Sequence, residues 1–169
     1  LDAGANWIND ISGGRLDPEI FNVIAEFGCP YVLTHSRGNS KTMDLFAKYQ
    51  NIVVDVKNEL TNQINLALSS GIKDEQIIID PGIGFAKNVE QNLTLLRNIE
   101  KFVSMNYPVL VGPSRKRFIG SVLNVSDPKN RIFGTAAVAA RCVIAGVDLL
   151  RVHDTREIFQ VIKMTKSII

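Results

Sequence analysis

Cysteine is nearly absent from this chain of 169 residues, and Cys29 and Cys142 stand too far apart to form a disulfide framework or a metal-ligand spacing. Two packed thiols in a reducing compartment fit that pattern; a secreted protein does not. Long apolar runs are also missing. Nothing approaches the ~20 residues that span a bilayer, and the N-terminus has neither a basic region nor an apolar one of signal type. An excess of one charge is lacking as well, because 19 Lys and Arg face 17 Asp and Glu for a net +2. The cations are scattered rather than clustered, so neither a nucleic acid nor a membrane surface is an expected partner, while small anionic ligands stay open. Internal repeats, low-complexity tracts and linkers are absent too, so residues 1–169 are expected to form one domain. The chain begins at Leu1 and not at Met, which suggests a processed product or a piece of something longer.

What is present is a balance of 46% hydrophobic and 21% charged residues, enough for one sizeable core. Apolar runs of strand length recur: "NWIND" near Trp7, "YVLTH" from Tyr31, "QIIID" from Gln76, "PVLVG" from Pro108 and "DLLRVHD" from Asp148. Segments of helical period lie between them. In "DPEIFNVIAEFG", Asp17 is the expected N-cap, Pro18 the first helical residue and Gly28 the stop. Residues 43–70 read as one long helix, "NVEQNLTLLRNIEKFVSMN" as another, "RIFGTAAVAARCVIAG" as a third closing on Gly146, and residues 155–166 as a helical tail. Regular alternation of this kind means parallel βα units, in either a doubly wound sheet or a barrel. Asn9, His35, Asp80, Arg151 and His153 all fall at or near strand C-termini, which in an eight-stranded βα barrel share one mouth. That favours an α/β fold with five βα units of a (β/α)8 barrel. Five units cannot close such a barrel, so the strands near Trp7 and Leu150 are expected to keep unpaired edges.

The stretch "IIIDPGIGF" sets a carboxylate, Asp80, directly after three isoleucines. A buried polar group without partners costs roughly 2–7 kcal/mol, so Asp80 must meet donors. Two sources are open. Its own Pro81-Gly82-Ile83-Gly84 turn offers N–H groups, and a flat heterocycle with two adjacent N–H donors offers a bidentate match. Arg151 and His153, two apart on a strand, point to one face with Leu149, while Leu150 and Val152 face the helices.

In order along the chain, "GANWINDISGG", "LTHSRGNS", "IIIDPGIGFAKNVEQNLTLL", "GPSRKRFIG" and "GTAAVAARCVIAGVDLLRVHD" resemble the motifs of dihydropteroate synthase. The resemblance runs nearly end to end and implies a βα-barrel transferase of folate biosynthesis. Such enzymes join 6-hydroxymethyl-7,8-dihydropterin pyrophosphate to p-aminobenzoate and release pyrophosphate. By that resemblance Asn9, Asp80, Lys116 and Arg151 bind the pterin, and Phe85, Lys116 and Arg117 line the p-aminobenzoate side. Arg151 and His153 meet the pyrophosphate, and Lys116, Arg151 and His153 are the catalytic set. His35 is read as a hydrogen-bonded structural residue and Arg115 as a brace for its loop.

The same resemblance implies magnesium, held on a loop that this chain lacks, together with a homodimer through the helix near residues 131–145. It also implies a cytoplasmic or mitochondrial location and membership of a longer multifunctional folate-synthesis polypeptide. Thr34, Ser36 and Arg117 depart from the family pattern, with methionines more usual at the first two positions and serine at the third. Two rival readings share the fold: a pterin-binding module of corrinoid-linked methyl transfer, against which "SRK" and "RVHD" argue, and a non-catalytic barrel remnant.

Overall fold

The apolar runs form five short parallel strands in a computed structural model that describes residues 1–169. Strands β1 (Ile8–Asp10), β2 (Tyr31–Thr34) and β3 (Ile77–Asp80) make one ladder, and β4 (Leu110–Val111) pairs with β5 (Leu149–Leu150). A parallel bridge between Ile79 and Val109 joins the two. Helices follow every strand: α1 (Ile20–Phe27), α2 (Ile52–Ser69), α3 (Val89–Arg97), α4 (Glu100–Val103), α5 (Arg117–Leu123), α6 (Ile132–Ile144) and α7 (Thr155–Lys166). A doubly wound sheet reverses its strand order at a switch point. Here the spatial order 1-2-3-4-5 repeats the sequence order, so the strands are an unclosed arc of a βα barrel, with β1 and β5 as its free edges.

Alternation along the strands divides the residues between two faces. Tyr31, Leu33, Ile77, Ile79, Val109 and Val111 point to the helices and join a buried cluster of 24 residues, against which Leu150 also packs. The concave face contributes only Val32, Ile78 and Leu110, with Leu149 against them. Each fully buried aliphatic or aromatic side chain contributes about 1.5–3 kcal/mol, so the helix side carries most of the stability.

Helix boundaries depart from the sequence expectations where side chains intervene. In residues 17–21 the bonds Ile20 N to Asp17 O and Phe21 N to Pro18 O are of the tight i to i+3 kind, so α1 begins at Ile20, although Asp17 does accept from Glu19 N–H. Its end is as expected, on left-handed Gly28, whose N–H donates to Ile24 O. Residues 43–70 are not one helix. Only a short 3-10 turn, Met43–Phe46, forms before α2, because Asn51 accepts from Val54 N–H and Asp55 from the N–H groups of Gln50 and Asn51, capping the helix there. The next segment breaks in two at Asn98, after an Asn88/Gln91 capping box has started α3. Helix α5 was not expected from the sequence. Strand β5 ends at Leu150, so Arg151 and His153 sit on the loop beyond it rather than on the strand.

Candidate active site

Asp80 ends β3 buried, level with Thr34 across the ladder, and alternation puts it on the concave face with Ile78. Its Oδ1 accepts from Gly82 N–H at 2.8 Å, so the turn supplies a donor to one carboxylate oxygen only. Burial pushes its pKa up to about 6, against the opposing pull of that N–H and of the Lys116, Lys87 and Arg151 charges. The turn is possible because Gly82 has φ 69°; a Cβ there would stand 1.8 Å from His35 O. Asn9, in register with Val32, lies exposed on the same concave face.

Lys116 stands at the N-cap position of α5, and its side chain crosses to the β3 loop, with Nζ 4.0 Å from the centre of the Phe85 ring. Burial lowers its pKa, and Asp80 opposes the shift. Its stem passes over Gly84 (φ 84°), where a Cβ would come within 2.8 Å of Lys116 Cδ. Both residues line a cavity of about 560 Å3 with Arg117, Asp44, Asn92 and Ser121. Arg117 does not point freely outward: its Nη2 donates to both oxygens of Asp44, at 2.8 and 3.1 Å, in an exposed pair.

The loop after β4 is braced to the loop after β5. Arg115, in the left-handed region at φ 59°, donates from Nε and Nη2 to the two oxygens of Asp154 at 3.1 and 2.5 Å. Its carbonyl accepts from buried Arg131, whose guanidinium also holds Val125 O and Ser126 O. Ser114 Oγ accepts the His153 N–H at 3.2 Å and lies 2.9 Å from His153 Nδ1. Arg151 and His153 are both exposed, and their loop is tied to β4 where Arg151 N donates to Val111 O. Phe85, Lys116 and Arg117 therefore share one cavity, whereas Asn9, Asp80, Arg151 and His153 do not line it.

The sequence reading missed Lys87. This lysine is buried behind the Asp80 turn, and its Nζ donates to Gly82 O and Phe85 O, both at 2.9 Å, and lies 3.0 Å from His35 Nδ1. The signal was a cation set directly after the glycine turn, in "GIGFAKN". His35, buried as expected, has Nε2 3.1 Å from Glu59 Oε2. Burial and the Lys87 charge lower its pKa to about 4, so the contact is a hydrogen bond from a neutral ring rather than an ion pair. Burial raises Glu59, but the bonds from His35 and Arg37 outweigh it and hold the carboxyl down at about 2. No group of three or more His, Cys, Asp and Glu side chains is placed to hold a metal ion.

Comparison with known proteins gives a consistent result. The family model described as pterin binding enzyme matches residues 1–153. A dihydropteroate synthase of Synechocystis is 44% identical over 168 residues, covering 99% of this chain and 58% of that protein. The mitochondrial folate synthesis bifunctional protein of Pisum sativum is 37% identical, covering 98% of this chain and 34% of that one. Among solved structures, the dihydropteroate synthase of Thermus thermophilus in complex with 6HMPPP superposes with a TM-score of 0.93 at 38% identity, covering 99% of this chain and 66% of that one. The chain thus spans less than two thirds of each of these relatives.

Proposed function

The chain belongs to the dihydropteroate synthase family of pterin binding enzymes, and we propose that residues 1–169 are the C-terminal part of a working synthase barrel. The completed enzyme joins 6-hydroxymethyl-7,8-dihydropterin pyrophosphate to p-aminobenzoate. The observation that carries this reading is the buried Asp80 carboxylate, with one oxygen committed to Gly82 N–H and the other left to accept from a ligand. The pterin edge presents adjacent amino and N3–H donors to it. Asn9 meets the mixed donor and acceptor pattern elsewhere on the ring.

Little covalent work falls to the protein. Pyrophosphate leaves a methylene whose positive charge the pterin delocalises, and the p-aminobenzoate amine attacks, so the tasks are to orient the amine and to stabilise departing charge. Lys116, stacked on Phe85, serves the pterin carbonyl and the p-aminobenzoate side. Arg151 and His153, exposed on adjoining loop positions, offer donors to pyrophosphate oxygens. The Arg117–Asp44 pair borders the p-aminobenzoate end of the cavity. The residues of this chain do not assemble a metal site. We assign the magnesium loop to upstream barrel units of the native polypeptide.

The exposed Phe133 and Ile144 of α6, with Phe159 and Met164 of α7, support a homodimer through that outer face. Sedimentation of the native-length protein as a monomer at micromolar concentration would discard it. Kinship with the pea protein, described as bifunctional and mitochondrial, supports a multifunctional parent chain and, of the cytoplasmic and mitochondrial locations, the mitochondrial one. The central reading is tested by calorimetric titration of the native-length protein with an unreactive pterin pyrophosphate analogue. Wild type binds, and Asp80→Asn loses about 3 kcal/mol, roughly a hundredfold, because an amide donor faces the ring's own N–H. Unchanged affinity removes Asp80 from the site.

A further inference from the structure

Glu59 is held ionised, so the neutral His35 ring carries its proton on Nε2 to donate to it, and Nδ1 is left as an acceptor. Lys87 Nζ is then surrounded by three acceptors, Gly82 O, Phe85 O and His35 Nδ1. An amine has two N–H bonds and a lone pair that would face the third acceptor, so this arrangement demands the ammonium form. A run of contacts follows, from Glu59 through His35 to Lys87, and from Lys87 through the Gly82 peptide unit to Asp80. Gly82 is the hinge of this run, because its carbonyl accepts from Lys87 while its N–H donates to Asp80 Oδ1. The carbonyl of Phe85, whose ring lies under Lys116 Nζ, is held by the same ammonium.

We propose that Lys87 is a positioning residue for the substrate-binding turn: it fastens residues 81–86 to His35 and, as a positive charge behind the turn, keeps the Asp80 carboxylate an acceptor. Its role in binding rests on the reading of Asp80 given above; its effect on the carboxylate does not. The charged and titratable groups facing Lys87 are His35 and Arg37 from the loop after β2, Glu59 from α2, Asp80 from β3 and Lys116 at the start of α5. Burial lowers the Lys87 pKa to about 7, with Asp80 and Glu59 opposing, so the ammonium is present across the range below neutrality in which Asp80 titrates. Removing the charge raises the Asp80 pKa, and the acceptor is then lost at a higher pH.

The test is a ligand-free infrared titration of 13C-labelled aspartate carboxyls in the native-length protein, with Asp80→Asn as the blank. Lys87→Met moves the Asp80 midpoint upward by about one pH unit. Lys87→Gln keeps a donor without the charge and carries the same test should the Met variant fail to fold. The pH below which a pterin pyrophosphate analogue ceases to bind moves by the same amount. A midpoint unmoved in a folded, uncharged variant overturns the proposal, since a purely structural lysine would change stability without shifting it. Wild type that fails to bind the analogue at any pH overturns the pterin reading instead, and the infrared result on Lys87 stands independently of that outcome.

Discussion

On the helix side of β2, β3 and β4 the positions are apolar and buried, from Tyr31 and Leu33 through Ile77 and Ile79 to Val109 and Val111, and the one carboxylate on that side, Asp10 of β1, accepts from the Tyr31 hydroxyl. The concave side of the same strands carries Asn9, Thr34 and Asp80 among three buried aliphatics. The helix side is saturated by contacts within the chain. The concave side is not: Thr34 Oγ1 is buried with no hydrogen-bond partner, a condition that costs about 1–3 kcal/mol, and Asp80 engages one oxygen only. A period of two lets one strand serve both purposes, so stability and recognition are written on alternate residues and can be changed separately.

The largest effect that would sharpen this contrast concerns the whole concave face. Purified residues 1–169 are expected to retain helical circular dichroism from the helix side yet to form dihydropteroate about a thousandfold more slowly than the native-length protein, or not at all, because donors from absent units cannot be preorganised. Near-normal turnover by that chain alone would break the comparison. Next comes a strike at the helix side: Phe102, fully buried in the large cluster, when truncated to Ala costs about 3–5 kcal/mol, read as a lower denaturant midpoint of the native-length protein. Its pterin affinity should stay within a fewfold of wild type.

Asp80→Asn should do the reverse, weakening pterin recognition about a hundredfold while stabilising the fold. The folded-state pKa of about 6 lies above the ordinary 3.8, so across that window the folded chain holds a proton that the unfolded chain has released. The stability that this group contributes is therefore present below pH 3.8 and lost as pH rises to 6; above that the ionised carboxylate costs a few kcal/mol, at about 1.4 per pH unit. Thermal unfolding at pH 7 should show the Asn variant melting higher than wild type, with the gain vanishing near pH 4. The smallest effect is that of Arg117→Ser. Its ion pair with Asp44 is exposed, so stability should change by less than about 1 kcal/mol, and the KM for p-aminobenzoate should rise more than that for the pterin substrate. Equal changes in both constants would detach Arg117 from the p-aminobenzoate end.

The strands were legible because buried parallel strands read as short apolar runs, and the place of Asp80 followed from a carboxylate that such a run cannot bury without donors. Helix ends were less so. The stop at Gly28 is dictated by one residue's left-handed backbone, whereas the start of α2 depends on Asn51 and Asp55 capping together, against a helical period that begins earlier. Lys87 was missed for a different reason. A lysine is ordinarily solvated, and this one is buried only because three acceptors, two from its own turn and one from β2's following loop, converge on it in space. His35 was read as structural without its partner in view, and the ring is in fact the link between Lys87 and Glu59. Arg117 was placed on the p-aminobenzoate side by resemblance, without Asp44, 73 residues away, which occupies its guanidinium.

The unbroken strand order has a kinetic meaning. Each strand of the arc pairs with the strand that preceded it in synthesis, so every pairing within residues 1–169 closes a loop no longer than one βα unit. Loop-closure entropy grows only slowly with length, but contacts between distant segments are those that slow folding most. If, as proposed, upstream units complete the barrel, the outer edge of β5 pairs with a strand from far upstream, the least local pairing of the arc. Of the five strands, β5 is the last to be synthesised. On that proposal closure follows the synthesis of β5, and until it happens the concave face, with Asp80 on it, stays open to water beside two free edges on which a second unclosed chain could pair.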